Sequence, residues 1–171
     1  MSGKVVIPTG SQAGMSHVDA IGKALSQFGI QHRVHIASAH KTPRRLLDLL
    51  DALECVAEPV VLITVAGRSN ALSGMVDAVT TWPVIPCPPP SEAWGAQDIC
   101  SSLRMPSGAA PMVVEDPGHA AQEAAKMLGL QATTLREAAR LSQEQQVQRL
   151  LDQDAALAEK RGRSLAEGSS L

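Results

Sequence analysis

The sequence has few aromatic residues: it contains no tyrosine, one phenylalanine and two tryptophans. A hydrophobic core therefore has to be built from valine, leucine, isoleucine, alanine and methionine, which bury less apolar area per residue than aromatic rings do. A chain with such a core often gains further burial by associating with copies of itself. We therefore expect an aliphatic core and, as a hypothesis, a homo-oligomer.

Three further absences exclude whole classes of protein. No apolar run approaches the ~18–20 residues of a membrane span, and no basic segment followed by an apolar one opens the chain, so neither a membrane partner nor a secretory signal is predicted. The formal net charge is −2 and the cations are scattered, which argues against nucleic-acid binding. Cys55, Cys87 and Cys100 lack metal-ligand spacing. These features favour a reduced, cytoplasmic location.

Strand-like and helix-like segments alternate along the chain, whose 171 residues fit one domain. Apolar runs bounded by turn residues predict strands at residues 4–8, 31–37, 59–65, 83–87 and 111–114. Apolar residues at helical spacing predict helices at residues 17–28, from 43 onward, at 71–80, 95–103, 119–128 and 133–161. A triple proline opens a long connection over residues 88–93. The alternation predicts a three-layer αβα sandwich with a doubly wound, mainly parallel, flavodoxin-like sheet.

Polar residues precede three of the predicted helices and are candidate N-caps. Ser16 precedes the first helix, Thr42 precedes a helix with Pro43 at its first position, and Ser69 or Asn70 precedes the third.

The predicted C-terminal helix lies beyond the sheet pattern. It packs either on another subunit or back on its own domain, and the sequence leaves both arrangements open. We assign residues 1–130 to the α/β domain and residues 131–171 to this helix and a tail, with residues 162–171 expected to be frayed.

Polar loops follow three of the predicted strands, at residues 10–14, 38–41 and 66–70. Because ligands bind outside the carboxyl ends of the strands in open α/β sheets, the three loops predict one shared site. Ser11 and the N–H groups of its loop can bind an anion, His40 can act as an acid or base near neutral pH, and the side chains of Lys41 and Arg68 can hold a phosphate or carboxylate.

Each of these motifs, taken alone, also fits an ordinary structural role: a β–α turn, a structural histidine, or a salt bridge with a helix cap. Weaker candidates are Arg104 with Ser107 and Gly108, and a nucleophile–base pair of Cys87 or Cys100 with His40, which no spacing supports. No histidines have metal-ligand spacing, and no nucleotide-binding glycine motif is present.

Five blocks in chain order resemble the aminoimidazole ribonucleotide carboxylases of purine biosynthesis. They read VVIPTGS at 5–11, SAHKT at 38–42, AGRSNALSG at 66–74, PVIPCPP at 83–89 and SSLRMPSG at 101–108. The resemblance spans about residues 4–130. Lys41 after the histidine resembles the second class, which uses carbon dioxide directly, as in animal bifunctional enzymes and some bacteria. The first class, a mutase for the N5-carboxylated ribonucleotide, usually has arginine there.

The resemblance implies carboxylation of 5-aminoimidazole ribonucleotide at C4 by carbon dioxide, giving the 4-carboxy ribonucleotide. It implies His40 as the catalytic acid/base, Ser69 as the residue nearest carbon dioxide, and a substrate site formed by Gly10, Ser11, Ser38, Lys41, Gly67, Arg68, Ser69 and Asn70. The implied partners are a small-molecule nucleotide, carbon dioxide and copies of the chain in a homo-oligomer, an octamer or tetramer. No metal, biotin or ATP is expected.

The first loop departs from the family pattern. That pattern is Gly-Ser-x-Ser-Asp, with the aspartate on the ribose hydroxyls, whereas this chain has Gly14 at the aspartate position. The departure leaves two alternatives open: a related carboxylase or decarboxylase acting on another azole nucleotide, and a weakly active or non-catalytic ligand-binding member.

Overall fold

The computed structural model describes residues 3–90 and 97–168, with residues 162–168 described by their backbone alone. Its sheet has four parallel strands in the order β2-β1-β3-β4. The strands are β1 (Lys4–Thr9), β2 (Gln31–Ile36), β3 (Val60–Thr64) and β4 (Val84–Pro86). The predicted α/β sandwich with a parallel sheet is confirmed, and β1 and β3 form the switch point of the strand order.

Helices cover both faces of the sheet. They are α1 (Met15–Gln27), α2 (Pro43–Glu54), α3 (Ala71–Val79), α4 (Cys100–Leu103), α5 (Pro117–Leu128) and α6 (Thr133–Gly168). One aliphatic core cluster joins α1, α5 and the start of α6 to β1 and β3, and a second joins α2 and α3 to the opposite face. Every residue of β3 is buried, as expected of a central parallel strand.

The prediction of a fifth strand at residues 111–114 is wrong. The segment lies beside β4, because the N–H groups of Met112 and Val114 donate to the carbonyls of Val84 and Pro86 at 3.0 and 2.9 Å. A parallel ladder also needs bonds in the other direction. The return bond between these two would have to come from the N–H of residue 86, and proline has none.

Two helix starts and one helix end also differ from expectation. Ser16 is not a cap, since a 3₁₀ turn at Gln12–Gly14 leads directly into α1 at Met15. Helix α5 begins at Pro117, where the Asp116 carboxylate accepts the N–H of His119 at 2.9 Å.

The backbone of α6 continues through Gly168, past the tail predicted to fray from residue 162, because helix-forming Leu, Ala and Glu follow there. The tail beyond residue 168, and residues 91–96 of the predicted connection and helix, lie outside the described residues. Within the described part of the chain, no helix is both long and apolar enough to cross a bilayer.

Candidate active site

A cleft of about 550 Å³ opens at the carboxyl edge of the sheet. The loops that follow β1, β2 and β3 form its walls, and Pro89 after β4 closes one side. Its lining residues are Thr9, Gly10, Ser11, Ala13, Gly14, Ser38, Ala39, His40, Lys41, Val65, Ala66, Gly67, Arg68, Ser69, Leu72 and Pro89. The three polar loops therefore meet in one space, as the parallel order of the strands requires.

The first loop is held against β3 by its backbone. The N–H of Gly10 donates to the carbonyl of Val65 at 3.0 Å, and the hydroxyl of Thr9 donates to the carbonyl of Ser11 at 3.2 Å. No side chain caps the start of α1, where Gly14 occupies the N-cap position. Ser11 is exposed and lines the same cleft as Gly14, so a hydroxyl donor and the positive end of α1 both contribute to that cleft, an arrangement that favours an anion.

The second loop is a tight turn closed by Ser38 and Thr42. The N–H of Ser38 donates to the Thr42 hydroxyl at 2.9 Å, and the N–H of Lys41 donates to the Ser38 hydroxyl at 3.3 Å. His40 and Lys41 project from this turn as exposed residues. Within the described part of the chain, neither side chain has a hydrogen-bond or ion-pair partner, so both are available to a ligand.

The third loop is strained at one residue. Arg68 has φ of 64°, a left-handed conformation that few residues other than glycine adopt. Such a conformation costs of order 1–3 kcal/mol and persists where the surroundings hold it. Here the surroundings include the Ser101 hydroxyl, which accepts the N–H of Asn70 at 3.0 Å, donates to the carbonyl of Asp98 at 2.8 Å and lies 3.4 Å from the carbonyl of Arg68.

A buried polar network supports the third loop from below. The Asn70 amide donates to the Ser102 hydroxyl at 2.6 Å, and its oxygen accepts from the N–H of Ser73 at 3.2 Å and from the Ser73 hydroxyl. The hydroxyls of Ser73 and Thr64 are 2.7 Å apart. Asn70 is 4% exposed and caps α3. It therefore lies under the loop rather than in the lining of the cleft.

The charges that face the cleft are of one sign. Lys41 and Arg68 contribute cations and His40 an imidazole, and no aspartate or glutamate occurs among the described lining residues. The cleft therefore suits a ligand with more than one anionic group. In the described ranges, no group of three or more histidine, cysteine and acidic residues is arranged to hold a metal ion.

Comparison with known proteins identifies the family. A family described as AIR carboxylase matches residues 4–149. The chain belongs to this family.

AIR carboxylase relatives cover most of the chain. A phosphoribosylaminoimidazole carboxylase from Treponema denticola is 40% identical over 153 residues, which is 90% of this chain and 96% of the relative. One from Archaeoglobus fulgidus is 48% identical over 134 residues, 78% of this chain and 73% of the relative. The crystal structure of Treponema denticola PurE superposes with a TM-score of 0.87 at 40% identity, covering 90% of this chain and 97% of that one. The resemblance seen in the five blocks is confirmed.

Other candidate residues lie outside this cleft. Arg104, Ser107 and Gly108 are exposed and do not line it. The proposed pairing of Cys87 with His40 does not occur, because the Cys87 Sγ lies 3.4 Å from Nε2 of His17. Cys100 is exposed on α4 and does not line the cleft either.

The contact between Cys87 and His17 was not anticipated from the sequence. Cys87 is fully buried, and burial raises the pKa of its thiol to about 12, with the nearby carboxylates of Asp116 and Glu115 acting in the same direction. Burial also lowers the pKa of His17, against the opposing effects of its contact with Cys87 and of Asp116. At neutral pH the pair is therefore a thiol beside a neutral imidazole, which is a structural contact and not an activated nucleophile.

Proposed function

We propose that this protein carboxylates 5-aminoimidazole ribonucleotide at C4 with carbon dioxide, giving the 4-carboxy ribonucleotide of purine (IMP) biosynthesis. The observation that carries the proposal is the composition of the cleft. In a chain of the AIR carboxylase family, His40 lines the same cleft as two cations, Lys41 and Arg68, and its imidazole is unpaired in the described structure. The names of the relatives favour this activity over the alternatives of another azole substrate or a non-catalytic member.

His40 is the proposed acid/base. The aminoimidazole ring is an electron-rich enamine, so its C4 can attack carbon dioxide without a cofactor. The resulting tetrahedral C4 must then lose its proton to restore aromaticity. A positioned imidazole can take that proton and can return it in the reverse decarboxylation.

The substrate phosphate is the proposed ligand of the first two loops. The hydroxyls of Ser11 and Ser38 supply hydrogen-bond donors, Gly10 lets the phosphate approach the backbone closely, and Lys41 supplies charge. Anchoring the phosphate fixes the position of the heterocycle over His40, and such positioning is a main source of rate acceleration where no cofactor takes part.

Carbon dioxide is the proposed ligand of the third loop. It has no net charge for a side chain to hold, so the cleft must position it by shape, and the small residues Ala66 and Gly67 leave room for it. Arg68 and Ser69 are then placed to stabilise the carboxylate as it forms. Lys41 in place of arginine supports direct use of carbon dioxide rather than an N5-carboxylated carrier, with no requirement for metal, biotin or ATP.

The active form is proposed to be a cytoplasmic homo-oligomer, an octamer or tetramer. Support comes from apolar side chains left exposed on one chain: Val34 and Ile36 on the edge strand β2, at 37% and 48%, and Leu150 and Leu151 on α6, at 66% and 59%. Contiguous exposed apolar residues mark interaction surfaces.

The direct test is a spectrophotometric assay of purified protein with aminoimidazole ribonucleotide and carbon dioxide, in buffer without ATP or divalent metal. Formation of the 4-carboxy ribonucleotide well above the uncatalysed rate is expected. A rate at background would refute the proposed activity. Activity only with the N5-carboxylated ribonucleotide would instead refute the direct use of carbon dioxide.

A further inference from the structure

The cleft lacks the group that proteins commonly use to recognise a ribose. Ribose hydroxyls are typically read by a carboxylate, which accepts hydrogen bonds from them. The described lining of this cleft contains no aspartate, glutamate, asparagine or glutamine. Its charged side chains are Lys41 and Arg68, which are hydrogen-bond donors only.

Gly14 marks the place where a side chain is missing from the lining. A Cβ added there would lie 3.3 Å from Cγ1 of Val65 and 3.4 Å from Oγ1 of Thr9, and both of these residues line the cleft. A side chain at position 14 would thus begin among the lining residues. The Thr9 hydroxyl does not substitute for it, because Thr9 is only 1% exposed and its hydroxyl is held by the carbonyl of Ser11.

We infer that this site selects its substrate through the anionic groups and the heterocycle and is nearly indifferent to the ribose hydroxyls, so that it accepts 2′-deoxyribose and ribose nucleotides alike. The inference rests on the proposed carboxylase function. It adds to that function a relaxed specificity at the sugar, encoded by glycine at position 14 in a cleft whose charged lining residues, within the described ranges, are cations and one imidazole.

The first experiment compares kcat/KM for aminoimidazole ribonucleotide and its 2′-deoxy analogue, using the intact protein. A site built to hydrogen-bond a hydroxyl strongly rejects the analogue that lacks it. Here we expect the two values to agree within about threefold. A kcat/KM more than about tenfold lower for the deoxy analogue would overturn the inference. It would mean that a group outside the described lining, such as one from a neighbouring subunit, hydrogen-bonds the ribose hydroxyl.

The outcomes separate the inference from the proposed function. If the ribonucleotide itself is not carboxylated, the proposed function fails and the inference fails with it. If the ribonucleotide is carboxylated and the deoxy analogue is rejected, only the inference fails.

A matched pair of variants tests the role of position 14. Gly14→Ala and Gly14→Asp introduce the same Cβ next to Val65 and Thr9, and only the second adds a carboxylate. We expect Gly14→Asp to prefer the ribonucleotide over its deoxy analogue about tenfold more strongly than Gly14→Ala does. Equal preferences in the two variants would overturn the assignment of position 14. Should either variant fail to fold, the comparison of substrates with the unaltered protein decides the inference by itself.

Discussion

His40 and Lys41 occupy consecutive positions of one turn, and the backbone of that turn is fixed by bonds that leave both side chains free. The hydroxyls of Ser38 and Thr42 are used to close the turn. Because these bonds hold the backbone, substitution of the imidazole should leave the turn intact. Residue 40 can therefore be tested for its chemistry apart from its contribution to structure.

His40→Asn is expected to lower the rate of a single carboxylation turnover about 10²–10⁴-fold, the usual contribution of a positioned acid or base. The dissociation constant of the 4-carboxy ribonucleotide, measured by calorimetry, should change little because asparagine keeps a polar side chain at the rim. His119→Asn is the matched control, since His119 is an exposed histidine on α5 outside the cleft. An unchanged rate in His40→Asn would exclude this residue as the acid/base.

The raised pKa of the buried Cys87 thiol can be tested through the dependence of stability on pH. Its pKa is about 12 in the folded protein and ~8.5 in an unfolded chain. Unfolding at alkaline pH therefore releases a proton. The stability due to the neutral thiol is fully present below pH ~8.5 and is lost as the pH rises from there towards 12, by up to about 1.4 kcal/mol per pH unit.

The free energy of unfolding, measured with denaturant between pH 8 and 10.5, should show this loss. The chain contains no tyrosine, so no tyrosine titrates in the same range. Cys87→Ala should have a smaller dependence of the free energy of unfolding on pH. Cys55→Ala is the matched control, because Cys55 is exposed, and it should retain the dependence of the unaltered protein. Identical pH profiles for all three proteins would contradict the raised pKa of Cys87.

At the scale of elements, the sequence predicted those features that depend on residues close together in the chain and missed those that depend on residues far apart. Strands β1 and β3 and the loops after them follow from apolar runs and turn residues next to each other in the chain. The absence of a fifth strand follows from Pro86 on a different segment, and residues 111–114 alone do not reveal it. The Asn70–Ser102 bond joins residues far apart in sequence, so no local pattern indicated it, and Asn70 was expected in the cleft.

The network under the third loop links β3, α3 and α4 and should be needed for both stability and catalysis. Asn70→Ala removes the cap of α3, leaves the buried hydroxyl of Ser102 without its Asn70 partner, and leaves the Ser73 hydroxyl with Thr64 alone. We expect the free energy of unfolding to fall by about 1–3 kcal/mol, the cost of an unsatisfied buried polar group. Arg68 and Ser69 belong to this loop and are proposed to stabilise the forming carboxylate. Loss of the network should therefore lower kcat, with a smaller change in KM for the ribonucleotide.

Asn70→Asp separates the two functions of this side chain. Aspartate retains the acceptor oxygen that caps α3 and lacks the amide donor to Ser102. It should recover part of the stability lost in Asn70→Ala. Ser107→Ala, in an exposed loop, is the control for loss of a polar side chain without a network. A stable Asn70→Ala protein with unaltered kcat would exclude a positioning role for the network.

At the scale of the whole molecule, α6 is longer than the domain beneath it requires. Its 36 residues span about 54 Å, and its buried apolar contacts lie near its start, at Leu135 and Ala139. At 3.6 residues per turn, Leu150 and Leu157 fall on the same side of the helix as these two residues, yet they are 66% and 48% exposed. The apolar face that packs on the core thus continues where the described residues of this chain do not cover it.

A second copy of the chain would cover that face in the proposed homo-oligomer. Leu150→Glu combined with Leu157→Glu should therefore shift the molecular mass measured by light scattering to that of a smaller assembly or a monomer, since the introduced charges would be buried without partners. Gln145→Glu combined with Gln148→Glu adds the same charge at exposed positions turned away from that side of the helix and should leave the mass unchanged. Because both leucines are already exposed on one chain, the fold of the domain should survive, with an unaltered circular dichroism spectrum. If the leucine variant keeps the mass of the unaltered protein, α6 is not the interface, and the exposed β2 residues Val34 and Ile36 become the surface to alter next.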